Sequence, residues 1–391
     1  MYRIKPIILP KLLLSILLTI LFARAEAQIP QPQVMSRAEI ESGLQSHDRA
    51  LYIKKHWIRD PYIVYAPDGF YYLTGTTPNP GDPRESGDPY NKGLFEGSIV
   101  GATVQIWRSR DLIDWEYQEA PFTVKDTYHY NDKDRAKIKS PNKDLIWAPE
   151  IHWDKDRNKW ILVHCPQINS SFVLSGDSSV KGPWTHTMGE NFDKKHDPSL
   201  FRDDDGTWYA IWGNAYIAQI SSDLTRFVTD PLYIEPAGSR PDPKNPGKMI
   251  SRIGHEGCTV KKIGDKYVLF GTAWSTDTGR KGSYNLYYTV ADKIEGPYGP
   301  RQFAGRFIGH GTPFQTKDGK WWCTAFYNGD IPPLNSKGIE NTDLSETAQT
   351  INRQGTTIVP LEVKMLKNGD LYIRAKDPAY GTPGPDENQK F

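Results

Sequence analysis

The sequence predicts an all-β fold, a five-bladed β-propeller preceded by a short helical segment, and three observations point there. Aromatic residues and turn formers are both abundant, with 12 Trp, 21 Tyr and 14 Phe beside 33 Gly and 30 Pro in 391 residues. That balance suits short strands joined by loops, not long helices. A unit of one turn and one aromatic-rich strand occurs five times: DGFYYLTGT from Asp68, RNKWILVHC from Arg157, DGTWYAIWG from Asp205, GDKYVLFGT from Gly264 and DGKWWCTAF from Asp318. The aromatic anchor is always fourth, at Tyr71, Trp160, Trp208, Tyr267 and Trp321. Three of the four intervals between anchors are 48, 59 and 54 residues, close to the roughly 40–50 residues of a four-stranded blade. A β-sandwich would give no reason for such a period.

Taken from the start of the chain, the first element is a leader. Lys5 and Lys11 flank the opening, Leu12 to Phe22 are apolar, and Ala25-Glu26-Ala27 offers small residues for cleavage. The apolar run is too short to span a bilayer and reads as a secretory signal over residues 1–27, so the expected location is secreted or periplasmic. Residues 28–55 form an N-terminal extension whose part from 36 to 55 reads as helical. The propeller is expected over 56–378 and a tail over 379–391. The first anchor interval, 89 residues, holds a loop-forming insertion at 77–101 with Pro78, Pro80, Pro83 and Pro89, and a charged stretch follows from Lys125 to Lys143. Blade-closing tails begin at Ile106, Ser178 and Asp292, and strands from Thr356 to Arg374 would close the ring against the first blade.

The formal net charge is +1, so no electrostatic field draws the chain to nucleic acid or to an anionic membrane. Composition excludes a disordered chain, a coiled coil and a polytopic membrane protein. Cys165, Cys258 and Cys323 are odd in number, widely spread and without zinc spacing. They read as small buried hydrophobes. Oligomeric state is left open.

Eleven residues before each anchor stand Asp60, Pro149 (with Glu150 beside it), Asp197, Glu256 and His310. Innermost strands of a propeller converge on one axis, so equivalent positions face a common point. Asp60 and Asp197 each precede a proline and could be turn caps. Glu256 lies in GHEGCTV, where an uncompensated carboxylate would be costly. Convergent carboxylates in an aromatic-lined cleft suit glycosidic hydrolysis, in which one acid protonates the leaving oxygen and one carboxylate activates water or attacks the sugar. Trp57, Trp147, Trp153 and Trp274 can stack on a sugar, although each such residue is more often core than platform.

The segments WIRDPYIVYAPDGFYYLTGT, IWAPEIHW, HDPSLFRDDDGTWYAIWG, HEGCTVKKIGDKYVLFGT and GHGTPFQTKDGKWWCTAFYN resemble the blade signatures of glycoside hydrolase family 43, from about Lys55 to Arg374. The resemblance implies an exo-acting, inverting glycosidase that removes arabinofuranose, xylose or galactose units from plant or algal polysaccharide. It implies Asp60 as general base, Asp197 as the group that raises and orients the acid, and Glu256 as general acid. His310 would approach a central calcium ion through water, and Arg353 would contact the sugar. Trp147, Trp274 and Glu150 are further candidates for sugar binding, with Glu150 alternatively holding a neighbouring blade. Cys258 after Glu-Gly departs from the family pattern, and the two insertions leave the sugar open. An anhydrogalactosidase-like sister enzyme and a non-catalytic carbohydrate-binding propeller are the alternatives.

Overall fold

The computed structural model describes residues 35–87, 98–119, 121–126, 145–166, 171–192, 195–325 and 355–391. The expected leader over residues 1–27, Arg353, most of the charged stretch from Lys125 to Lys143 and part of the 77–101 insertion lie outside the described residues. Four sheets are four-stranded and formed from strands close in sequence. The first blade uses Arg59–Tyr65, Tyr71–Thr76, Trp107–Ser109 and Glu116–Tyr117. The second uses Ile146–Asp154, Lys159–Pro166, Ser171–Ser175 and Trp184–His186. Ser199–Arg202, Trp208–Trp212, Tyr216–Ile220 and Leu232–Tyr233 form the third, and Glu256–Ile263, Lys266–Trp274, Tyr284–Ala291 and Gln302–Gly305 the fourth.

These are four blades where the repeat predicts five. The remaining unit is a mixed closing sheet: Leu51–Lys55 pairs with Gly355–Met365, which pairs with Trp321–Ala325 and then Pro313–Gln315, while Leu371–Ala375 adds to the other end of Gly355–Met365. The difference arises because this sheet takes strands from both ends of the described chain. The period read along the sequence registers its Pro313–Gln315 and Trp321–Ala325 hairpin as a fifth copy, but not the strands that join it from far along the chain on either side.

Apolar side chains explain the propeller arrangement. Each central strand is buried on both faces, so its side chains alternate between two neighbouring sheets. Trp160 and Leu162 join the core shared with the first blade, whereas Ile161 and Val163 join the core shared with the third. Ile211 faces the fourth blade while Ala210 and Trp212 face the second. Cys323 joins the core between the closing sheet and the fourth blade, and Trp322 that between the closing sheet and the first. Double-sided burial is why these strands read as runs such as WYAIW. The buried aromatic of the closing sheet is therefore Trp322, with Trp321 only half-buried.

Helix in the N-terminal extension is confined to Arg37–Ser46, not 36–55. Ser36 caps it, and Glu39 returns the bond by accepting the Ser36 backbone N–H at 2.7 Å, a reciprocal capping box. The β-favouring LYI sequence then leaves the helix and is buried in the closing sheet. The segment after Pro378–Gly381 is not a loose tail: Asp386 accepts from the Ser283 N–H at 2.8 Å and hydroxyl at 2.6 Å, and both Asp386 and Glu387 are buried. No helix among the described residues is long and apolar enough to cross a membrane.

Candidate active site

The innermost strands are kinked where the chemistry sits. Asp60, Ala148, Asp197, Gly257 and His310 all have positive φ, between 43° and 61°. The pairing register shifts beside three of them, between Arg59 and Tyr62, between Trp147 and Glu150, and between Glu256 and Thr259. A bulge of this kind re-aims one side chain out of the sheet. Holding Asp and His in the left-handed region costs about 1–3 kcal/mol each, a strain that concentrates at working sites.

Asp60, Asp197, Glu256 and His310 are brought together by these bends. His310 Nδ1 lies 3.1 Å from Asp60 Oδ1, and its Nε2 lies 3.8 Å from Asp197 Oδ2. Its backbone N–H donates to Thr272 Oγ1 at 2.8 Å, tying the closing sheet to the fourth blade. Thr76 donates to Asp60 Oδ2 at 2.7 Å and accepts the Ala148 N–H at 2.7 Å, so the second blade buttresses the carboxylate of the first. His196 Nε2 stands 3.3 Å from both Asp197 Oδ2 and Glu256 Oε2. The other oxygen of Glu256 faces His255 Nε2 at 3.3 Å and accepts the hydroxyl of Tyr284.

The charges divide these groups. Burial pushes the Asp60 carboxyl up, but the charge and hydrogen bond of His310 outweigh it and hold Asp60 below its usual range. Burial of Asp197, with the charges of Glu256 and Asp60 nearby, overrides His310 and His196 and raises its carboxyl. Glu256 is buried too, yet His255, His196 and His310 pull it well down. Burial disfavours the cation at His310, but Asp60 and Asp197 raise it to about 10. At His196 the hydrogen bonds it makes to Cys165 and Glu256, then the charge of Asp197, raise the imidazole to about 11. The site without substrate is thus a compensated cluster in which imidazolium groups neutralise carboxylates.

The remaining candidates are distributed differently. Glu150 Oε2 accepts from Ser199 Oγ of the third blade at 2.8 Å and lies 2.9 Å from His152 Nε2, so it holds a neighbouring blade. Trp274 is core, its ring centre 4.5 Å from that of Tyr284, the donor to Glu256. Trp147 is half-buried against the cluster of Trp57, Ile99, Val100 and Leu145, in which Trp57 is fully buried. Trp153 packs on Trp160, with ring centres 5.3 Å apart. His196 and His255 stood beside the acids in HDPS and HEG without being singled out, and nothing local marked Tyr284 or Cys165.

His310 is poorly placed as a direct calcium ligand, an arrangement distinct from the approach through water that the resemblance implies. Calcium takes six to eight oxygens, whereas both His310 nitrogens face carboxylates and the ring is held cationic. The adjoining cavity, lined by Glu150, Asp197, Gly257 and His310 among others, measures about 10 Å³, room for roughly one water.

The family profile described as Glycosyl hydrolases family 43 matches residues 53–356. A xylan 1,3-beta-xylosidase of Vibrio sp is 25% identical over 303 residues, which cover 72% of this chain and 50% of that protein. The chain spans about half the length of such curated relatives. Among solved structures, the xylan beta-1,4-xylosidase of Bacillus halodurans C-125 superposes with a TM-score of 0.53 at 18% identity, covering 85% of this chain and 57% of that one. An exo-1,5-alpha-L-arabinanase from a bovine ruminal metagenomic library gives 0.51 at 16% identity, covering 82% and 98%.

Proposed function

The chain belongs to glycosyl hydrolases family 43, and on that premise we propose that it is an exo-acting, inverting glycosidase releasing a terminal pentose, xylose or arabinofuranose, from a plant polysaccharide or its oligosaccharides. The mixed closing sheet counts in this reading as the fifth blade. One observation carries the proposal: carboxylates from the first, third and fourth blades meet around His310 and His196.

In the reaction, Glu256 gives its proton to the glycosidic oxygen as the bond to the anomeric carbon breaks. Asp60 takes a proton from the water that attacks that carbon from the opposite face. A single displacement of this kind needs the two carboxyl groups roughly 6.5–9.5 Å apart. His310 and Thr76 keep Asp60 ionised and aimed, as a base requires. Glu256 is held ionised without substrate, so it must be loaded before it can act. The proton is at hand on His196, 3.3 Å away, and Asp197 Oδ2 lies 3.3 Å from that same nitrogen. Sugar binding that crowds His196 away from Glu256 leaves a buried carboxyl beside ionised neighbours, which favours its protonated form. No calcium step is invoked, because the His310 imidazolium supplies positive charge at that point, and a calcium chelator is expected not to lower turnover.

The test is a screen of aryl xylosides and arabinofuranosides with the Glu256→Ala variant alongside. Turnover should fall by about 10²–10⁴-fold on substrates with poor leaving groups and far less on activated aryl glycosides. Equal loss on both removes Glu256 as the acid. Hydrolysis of neither sugar class by the unaltered chain overturns the pentose assignment. Export is proposed with this activity, from the leader over residues 1–27. N-terminal sequencing of exported protein should begin near residue 28.

A further inference from the structure

Three donors that the glycosidase reading leaves together have a second chemistry. Cys165 closes the strand Lys159–Pro166, where it pairs with Trp147 beside the bulge of the second blade. His196 and Asp197 lead into the third blade, and the His196 carbonyl is fixed by the Gly213 N–H at 2.7 Å. One ligand atom from each of the three, a sulfur, a nitrogen and an oxygen, lies within 4.8 Å of the other two. We propose that Cys165, His196 and Asp197 bind a single Zn²⁺ ion whose occupancy shuts off turnover, a function beyond the glycosidase reading.

The donor set selects the ion. Thiolate with imidazole suits zinc and its softer relatives, whereas calcium and magnesium require oxygen ligands. Three protein ligands leave the fourth tetrahedral position to water. The approach is open, since the His196 side chain is 58% exposed and Cys165 is half-buried. Cys258 and Cys323 are buried, at 1% and 0% exposure, and cannot compete. Binding involves no redox change: the sulfur and the imidazole give up their protons to solvent, and two bonds to metal form in their place, with a third from Asp197.

Inhibition follows from shared residues. Two of the three ligands stand beside the proposed acid: His196 Nε2 lies 3.3 Å from both Glu256 Oε2 and Asp197 Oδ2. An occupied site therefore removes from Glu256 its nearest proton source and changes the charge next to it.

The test is a titration of the full chain with Cd²⁺, followed through the ultraviolet thiolate-to-metal charge-transfer band, with Zn²⁺ then added as competitor. One Cd²⁺ per chain should bind and be displaced by Zn²⁺. Cys165→Ser should abolish the band, and His196→Ala should weaken binding by roughly tenfold or more. In turnover assays Zn²⁺ should inhibit the unaltered chain reversibly, while the turnover that Cys165→Ser retains, whatever its level, should no longer respond to Zn²⁺. Absence of the band, a band that survives Cys165→Ser, or equal Zn²⁺ inhibition of that variant overturns the proposal. The spectroscopic readout stands whether or not the pentose assignment does.

Discussion

Glu256 shows how closely a single carboxylate can be surrounded: His196 and His255 face its two oxygens at 3.3 Å and Tyr284 donates to one of them. The neighbouring Gly257 is part of the same device. Its φ is +61°, and a Cβ there would come within 2.7 Å of the His310 ring. Gly257→Ala should therefore cost about 1–3 kcal/mol through backbone strain and displace His310 from between Asp60 and Asp197. The expected result is a lowered melting temperature together with a drop in kcat on every substrate. A variant with native kcat would show that the position of the His310 ring does not matter to turnover.

At the scale of elements, double-sided burial sets both the sequence signal and its hazards. His164 lies on the central strand of the second blade, fully buried against Phe122 at 5.0 Å, and neither ring nitrogen has a hydrogen-bond partner among the described residues. Burial, with the charge of His186, pushes its imidazole down to about 3. The folded chain thus refuses a proton that the unfolded chain accepts below about pH 6.5. Stability from this group is present above that pH and is lost as pH falls toward 3. At pH 5 the loss is about 2 kcal/mol. His164→Leu should accordingly gain on the unaltered chain at pH 5 relative to pH 8 in denaturant unfolding, and a pH-independent difference would refute the assignment. The central strands were legible in the sequence because burial on both faces writes aromatic and aliphatic runs into them. Leu51–Lys55 was not, since its partner Gly355–Met365 lies near the far end of the chain and no local pattern separates it from the helix before it.

Across the whole molecule, the ends of the chain secure the propeller. Leu51 and Ile53 are buried in the closing sheet, and the C-terminal segment is held by Asp386 and Glu387 in the fourth blade. Glu387 accepts from Tyr287 at 2.7 Å and Asn285 at 3.1 Å, but burial outweighs those bonds and the charge of Arg301 and pushes its carboxyl up to about 7. Stability from this group is full below its ordinary value near 4.5 and is lost as pH rises through 7. Glu387→Gln, which keeps an acceptor for both donors, should melt with a flatter pH dependence between about 4.5 and 7. An unchanged profile would contradict it. The acids of the site were legible because each occupies one register of a repeat. Tyr284 was not, because it comes from the third strand of its blade and meets Glu256 only through the folded sheet. His196 and His255 were in plain view, yet their role depends on distances that only the closed ring creates.

The central claim is that Asp60 and Glu256 act on opposite faces of one sugar in a single displacement. The most direct measurement is the anomeric configuration of the first sugar released, followed by NMR before mutarotation. The account predicts inversion from the first turnovers, and release with retained configuration would contradict it.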